Sequence, residues 1–402
     1  MAAYIIDGIR TPIGSFGGAL SAVRADDLAA MVIRELMKRN AHIPPAEIDE
    51  VVLGCVNQAG EDNRNVARMA LLLAGLPYTI PGETVNRLCA SGMSAVINAA
   101  RAIQSGDGDL FIAGGVEHMT RGPYVISKSG KAFGTDQKMY DSSFGWRFIN
   151  PVMEANYGVD AMGVTAENLA AMYRISRPDQ DVFAWRSQVK ATKASAVGRF
   201  AEEIMPVIIP GKKGHTIFEQ DEFIKPATTP EALAKLNTAF KKENGTVTAG
   251  NSSGLNDGAA ALLIASDTAL DKYRLQAKAR IVSSAVIGCE PRIMGIGPVE
   301  ASRKALAKAS LSLADMDIIE LNEAFAAQSL ACIRELGMKD DDPRININGG
   351  AIALGHPLGM SGARIIYTAA LELQKQQKKY ALVTMCIGVG QGYAVILENP
   401  AI

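Results

Sequence analysis

Two apolar periods alternate along the chain. From Ala25 to Met37 apolar residues recur at helical spacing, with Asp26 and Asp27 near the start, and this predicts an amphipathic helix. Glu50 to Gly54 is a short apolar run suited to a buried strand. Ser91 to Ile103 reads as a helix of small residues, and Leu110 to Gly114 as the strand after it. The same order returns later, with a helix from Val299, a strand over Ile318 to Leu321, a helix from Ser361 and a strand over Ala381 to Met385. Alternation of this kind predicts an α/β fold in layers with largely parallel sheets. The small side chains of Ala90 to Ala102 permit close packing on several sides, so this helix is expected to be buried between two sheets. The opening residues, Met1 to Asp7, read as a first strand rather than a signal peptide.

The chain repeats itself. Cys89 is followed three residues later by Gly92-Met93-Ser94, and His356 by Gly359-Met360-Ser361, an offset of 267 positions. Ala46 to Gly54 resembles Ala314 to Asn322 at nearly the same offset. One folding unit used twice can bring a cysteine and a histidine together across a pseudo-two-fold axis although they are far apart in sequence.

The middle of the chain has another texture. From about Arg121 to Gly250 charges crowd in, strand runs are few, and Pro210-Gly211-Lys212-Lys213-Gly214 marks a turn. It reads as an insertion into the first unit, before a closing strand at Ala259 to Ala265, and insertions of this kind form lids over a scaffold. The expected division is a first half over residues 1–120 completed by 251–270, a loop domain over 121–250, and a second half over 271–402.

Composition narrows the function classes. With 402 residues and 48% apolar content the chain can bury large cores, and a net charge of −1 speaks against nucleic acid. No stretch approaches the roughly 20 apolar residues of a membrane span. The five cysteines, Cys55, Cys89, Cys289, Cys332 and Cys386, form no Cys-x-x-Cys pair. Disulfides and a metal site are not expected, and a reducing, cytoplasmic compartment fits.

Four residues carry candidate chemistry. An isolated cysteine is usually a small buried hydrophobe. Cys89, however, precedes a predicted helix whose N-terminus stabilises a thiolate, and Ala90, Ser91 and Gly92 leave room for a substrate. His356, one of four histidines, lies in a glycine-rich stretch that presents it to a cleft, where it can take a proton from a thiol. The glycines lack the dinucleotide-binding spacing. Cys386 ends a predicted strand, and the glycines after it expose backbone N–H groups to a developing oxyanion. Asn322 reads either as a helix N-cap or as a side chain orienting a water or a carbonyl.

Together these segments resemble the thiolase family nearly end to end. The likeness includes Arg10-Thr11-Pro12, Asn86-Arg87-Leu88-Cys89, Gly114-Gly115-Val116-Glu117, Thr248-Ala249-Gly250-Asn251, Asn322-Glu323-Ala324-Phe325, Gly355-His356-Pro357 and Cys386-Ile387-Gly388. The resemblance implies two five-stranded αβαβα halves, a loop domain over a coenzyme A site, and a homo-oligomer, dimer or tetramer. It implies that Cys89 is acylated, that His356 activates it, and that Cys386 serves the α-carbon of the acetyl unit. Asn322 would hold a water that forms one oxyanion hole with His356, and the N–H groups of Cys89 and Gly388 would form the other. Ser253 matches a pantetheine contact, and Met162, Met294 and Phe325 match positions near the acyl pocket. Lys225 stands where some relatives carry an arginine near the adenine, and Ala161 where several short-chain enzymes carry a histidine. Coenzyme A and acyl-CoA are the implied partners, with no metal or redox cofactor.

Phe144 to Pro151 and Tyr157 to Asp160 resemble the 3-oxoadipyl-CoA branch, and Gly163 to Glu167 the acetoacetyl and general 3-ketoacyl branches. The expected reaction is CoA-dependent cleavage of a 3-ketoacyl-CoA. The alternatives are the biosynthetic condensation to acetoacetyl-CoA, a decarboxylating ketosynthase, which would want a second histidine at Cys386, and a non-catalytic scaffold, which would tolerate loss of Cys89, His356 or Cys386. A terminal carboxylate on the acyl chain would need a partner, and Arg147 between Trp146 and Phe148 is the candidate. Arg147 could equally serve an oligomer contact.

Overall fold

The computed structural model describes residues 1–211 and 214–402; Lys212 and Lys213, in the predicted turn, lie outside the described residues. The strands that flank them, Val207–Gly211 and Gly214–Phe218, pair antiparallel.

The first unit holds strands β1 (Ala3–Arg10), β2 (Glu50–Gly54), β3 (Gly82–Val85), β4 (Leu110–His118) and β5 (Asn256–Ser266), with helices α1 (Ala25–Arg39), α2 (Val66–Leu73) and α3 (Ser91–Ser105). Helix α4 (Met162–Met172) belongs to the intervening segment, which also includes the 20-residue helix Arg177–Ala196 and two short antiparallel strand pairs. The second unit holds β6 (Ala279–Gly288), α5 (Gly297–Ala309), β7 (Ile318–Leu321), α6 (Ala326–Glu335), α7 (Leu358–Lys375), β8 (Tyr380–Ile387) and β9 (Gln391–Glu398).

The strand order β1-β5-β4-β2-β3 of one unit is answered by β6-β9-β8-β7 in the other. The two runs meet through the pairs Tyr4/Arg280 and Ile5/Ala279. Three separate cores give the layers. Helices α1 and α2 cover one outer face, α5 and α6 the other, and α3 and α7 pack between the two halves of the sheet with Met93, Val96, Ala363, Ile366 and Ala370 wholly buried. Small residues make this possible. A Cβ at Gly92 would come within 2.5 Å of the Gly359 carbonyl, so the first turns of α3 and α7 touch backbone to backbone.

Three expectations need correction. The sheet is mixed: β2–β3, β2–β4 and β7–β8 are parallel, whereas β1–β5, β4–β5, β6–β9 and β8–β9 are antiparallel. Helical crossovers give the parallel pairs; β5 arrives after the long middle segment from the opposite end, and β8 and β9 are joined by the tight turn Gly388–Gly390. The second half has four strands, and its fifth place is one isolated bridge between Ile319 and Ile345. There Asn346, at φ +44°, uses its side-chain amide in place of ladder bonds, accepting from Leu321 N (2.9 Å) and donating to Leu321 O (2.8 Å). Finally, α7 begins at Leu358 and not at Ser361, because the Pro357 carbonyl already accepts from Met360 and Ser361.

Candidate active site

The N-termini of α3 and α7 are 267 residues apart, the same offset as Cys89 and His356, and each side chain stands two residues ahead of its helix. The turn ahead of Cys89 is strained, with Leu88 at φ +47°. Asn86 Oδ1 accepts from Leu88 N (2.9 Å), and Ser91 Oγ accepts from Arg87 N (2.9 Å) while donating to Leu88 O (2.7 Å). Cys89 keeps partial exposure. Burial pushes its thiol up, and the N–H groups of Gly388 and of Cys89 itself pull it back.

His356 is buried. Its tautomer follows from its neighbours. Ser361 Oγ donates to Pro357 O (2.8 Å), so it accepts the proton of His356 Nδ1 (2.6 Å), and Nε2 is left with the lone pair. Burial and then the Arg364 guanidinium lower the imidazole to about 3, so it is neutral across the physiological range. Asn322 Nδ2 faces Nε2 at 3.4 Å, and Asn322 Oδ1, also buried, has no partner among the described residues. Asn322 is not a helix cap: α6 starts after Phe325, which caps it without a side-chain bond.

Cys386 is the last residue but one of β8 and is buried in a small apolar cluster with Met294, Phe325, Ala324 and Val247. Burial, and then the neighbouring Cys89, push its thiol well up, which keeps it protonated at neutral pH. Phe325 meets Phe240 edge to face at 6.2 Å. Met162 opens α4, and its sulfur lies 3.6 Å from where a Cβ on Gly388 would stand. Ser253 donates N–H (3.0 Å) and Oγ (3.1 Å) to the Ala324 carbonyl, on the loop between Asn322 and Phe325.

Two predicted residues lie elsewhere. Lys225 is in the wall of a separate cavity of about 430 Å³ with Phe223, Leu233, Leu236 and Ile352, its ammonium 4.6 Å from the Phe223 ring centre. That cavity adjoins the short helix Ala351–Leu354 leading into His356, but none of the three reactive side chains lines it. Arg147 is part-buried, donates to the Ser142 carbonyl (3.1 Å), and meets no carboxylate among the described residues. Its neighbour Trp146 donates to Asp160 O (3.2 Å), which ties this loop to the stretch leading into Met162.

The sequence reading passed over Ser361 and Glu117. Ser361 was visible as the end of the repeated Gly-Met-Ser, to which no task was given. Glu117 is buried and accepts from Val56 N (3.1 Å), Asn57 N (3.1 Å) and Gly359 N (2.9 Å), joining the two units just behind the site. Burial raises its carboxyl to about 7. With Cys55 and Asp62 it forms a group whose ligand atoms lie within 4.8 Å of one another, but its oxygens are already occupied by those three donors.

Two thiols and an imidazole are thus presented from both halves of a duplicated fold, and the comparisons bear on what such a centre is. The thiolase N-terminal domain matches residues 3–268 and the thiolase C-terminal domain residues 275–399. The chain belongs to the thiolase family. It is 61% identical over 396 residues to a beta-ketoadipyl-CoA thiolase of Pseudomonas knackmussii, covering 98% of each chain. It is 59% identical over 398 residues to a 3-oxoadipyl-CoA/3-oxo-5,6-dehydrosuberyl-CoA thiolase of Escherichia coli, covering 99% of each. The crystal structure of the Bacillus anthracis acetyl-CoA acetyltransferase superposes with a TM-score of 0.92 at 40% identity, over 99% of this chain and 98% of that one. As a thiolase the protein is an acyltransferase acting on acyl-CoA and coenzyme A. Among the described residues no helix is long and apolar enough to cross a membrane.

Proposed function

We propose that this thiolase cleaves 3-oxoadipyl-CoA with coenzyme A, giving acetyl-CoA and succinyl-CoA. The observation that carries the substrate is identity of 59 to 61%, end to end, with thiolases named for it. His356 Nε2 takes the proton of Cys89, and the thiolate attacks the 3-keto carbon. The oxygen of that carbon becomes an oxyanion, and the Gly388 N–H, already within reach of Sγ, and the Cys89 N–H stabilise it. The C2–C3 bond then breaks, the acyl group stays on sulfur, and acetyl-CoA leaves as an enolate. A water held by Asn322 with His356 stabilises the enolate oxygen, and Cys386 gives its proton to C2. The proton that His356 took from Cys89 passes to the Cys386 thiolate, and the freed imidazole deprotonates coenzyme A, whose thiolate attacks the acyl-cysteine; the shortened acyl-CoA leaves and the Cys89 thiolate takes that proton back from His356. No step requires a metal or redox cofactor.

The cavity beside Lys225 would take the nucleotide end of coenzyme A, Ser253 the pantetheine arm, and Met162, Met294 and Phe325 the acyl pocket. Residues 121–250 would act as the lid, and the working form would be a homo-oligomer in the cytoplasm. Arg147 would read the terminal carboxylate. Thiolysis of 3-oxoadipyl-, acetoacetyl- and longer unsubstituted 3-ketoacyl-CoA tests the reading. A higher kcat/KM for 3-oxoadipyl-CoA is expected, lost selectively in Arg147→Ala. A preference for long unsubstituted chains overturns the substrate, and equal loss on all substrates in Arg147→Ala overturns the role of Arg147.

A further inference from the structure

Arg87 lies just ahead of the strained turn that carries Cys89. Its Nε donates to Ser94 Oγ (2.8 Å), on the first turn of α3, and its Nη1 donates to Gln391 Oε1 (3.1 Å), the first residue of β9 in the other unit. Its guanidinium lies over the Tyr393 ring, 5.8 Å from the centre. Gln391 follows directly on the turn Gly388-Val389-Gly390, where Val389 (φ +63°) and Gly390 (φ +87°) are both left-handed. Leu88 has the same kind of strain on the Cys89 side. A non-glycine residue keeps that conformation only where its surroundings impose it. One side chain therefore bridges two strained turns, one bearing the thiol and the other the Gly388 N–H that faces it.

We propose that Arg87 is a positioning residue for acyl transfer, clamping the Cys89 turn to the Gly388 turn and so fixing the aim of the Gly388 N–H at the reacting carbonyl oxygen. The proposal rests on Cys89 as nucleophile and Gly388 N–H as oxyanion donor. The guanidinium fork reaches the two partners at once through separate nitrogens of fixed geometry, whereas a lysine ammonium offers one point of attachment. A hydrogen-bond donor a fraction of an ångström out of place loses most of its catalytic value, while binding of the remote parts of the substrate is untouched.

The test compares Arg87→Met, Arg87→Lys, Gln391→Leu and the double variant R87M/Q391L. Thiolysis kinetics are read on 3-oxoadipyl- and acetoacetyl-CoA, and alkylation of Cys89 by iodoacetamide is followed in parallel. Alkylation depends on the Gly388 N–H only through its help to the thiolate, whereas acyl transfer also needs that N–H at the oxyanion, so the two rates together separate the clamp from general support of the nucleophile. In Arg87→Met, kcat is expected to fall about 100-fold, the scale of one lost oxyanion donor. KM should stay within about threefold, because ground-state binding is spared, and alkylation should fall far less than kcat, because the Cys89 N–H still supports the thiolate. Arg87→Lys should be intermediate. Gln391→Leu should share the kcat loss, and the double variant should be no worse than the poorer single one, as for two residues of one device. An Arg87→Met enzyme within about threefold of wild type in kcat overturns the proposal, being below the loss of even a weak donor. So does a parallel fall in kcat and alkylation, which would assign Arg87 to support of the thiol or the fold. Acetylation of the wild-type enzyme by acetyl-CoA at a cysteine other than Cys89, seen by peptide mass spectrometry, overturns the underlying reading of the site itself.

Discussion

The first turns of α3 and α7 are the same piece of design put to opposite uses. Both follow a reactive side chain by two residues, both carry Gly-Met-Ser, and they press together at Gly92 and Gly359. At α3 the serine, Ser94, accepts from Arg87, and the cysteine is left on a strained, partly exposed turn. At α7 the matching serine, Ser361, accepts from the histidine itself, which is buried and held in one tautomer. The difference fits the roles proposed for the two side chains. A nucleophile has to be reached by its substrate, which suits an open end with a constrained backbone, and a base has only to be aimed and kept dry, which suits a closed end with a constrained ring.

Breaking the nucleophile end should have the largest effect. Cys89→Ala is expected to lower turnover by about 10⁴-fold or more, since the covalent route is lost. Peptide mass spectrometry after mixing wild type with acetyl-CoA should find the acetyl group on Cys89; an adduct on Cys386 would reverse the assignment of the two thiols.

At the other end, His356→Ala should slow acylation of Cys89 by roughly 10³-fold, within the usual range for a positioned base. Cys386→Ala should still become acetylated but fail to exchange the α-hydrogens of acetyl-CoA with deuterated water. Equal loss of acylation in both variants would end the proposed division of labour.

Ser361→Ala sharpens the comparison, because it removes orientation and leaves the base in place. A loss of about fivefold in kcat with little change in KM is expected, the worth of one hydrogen bond near 1 kcal/mol. His356 also sets a pH dependence. Its folded value of about 3 lies below the ordinary 6.5, so the unfolded chain binds the extra proton between those limits, and stability falls as pH drops from 6.5 towards 3. Denaturant melts at pH 7 and 5 should show a smaller acid loss in His356→Gln than in wild type. For the same reason the kcat/KM profile should show no acid limb near pH 6.5.

Gly362→Ala tests the seam itself, through stability rather than through any reacting group. A Cβ there would come within 2.3 Å of Met93 N, and overpacking of this kind costs about 1–3 kcal/mol, measurable as a lower denaturation midpoint.

Much of this was legible from residues. The repeated Cys-x-x-Gly-Met-Ser and His-x-x-Gly-Met-Ser marked the two related places where the chain enters a helix, although the start of α7 lies three residues earlier than the pattern suggests. Val51-Val52-Leu53 marked one buried strand by continuous apolarity, and Ile318 to Leu321 another, apolar but for Glu320. What escaped was whatever depends on direction or on partners distant in sequence. The antiparallel pairing of β5 is decided by where the inserted segment returns the chain, which periodicity does not encode. The replacement of a fifth strand by Asn346 depends on one amide finding Leu321 across the sheet edge. Ser361 was in plain view, but its role needed the ring it touches. Lys225 and Arg147 stand apart from the reactive cluster, one in the wall of a separate cavity and the other bonded to the Ser142 carbonyl, and local sequence does not say where a side chain of the middle segment is carried by the fold.

The sheet joins the two units through only two residue pairs, and the broad contact between them is the α3–α7 seam. Cohesion and chemistry therefore share one surface. Any substitution that lets the halves drift apart by a few tenths of an ångström would silence the enzyme while each half kept its own core. Assay of activity should thus report damage well before circular dichroism does, and the seam should tolerate fewer neutral changes than either outer helical layer.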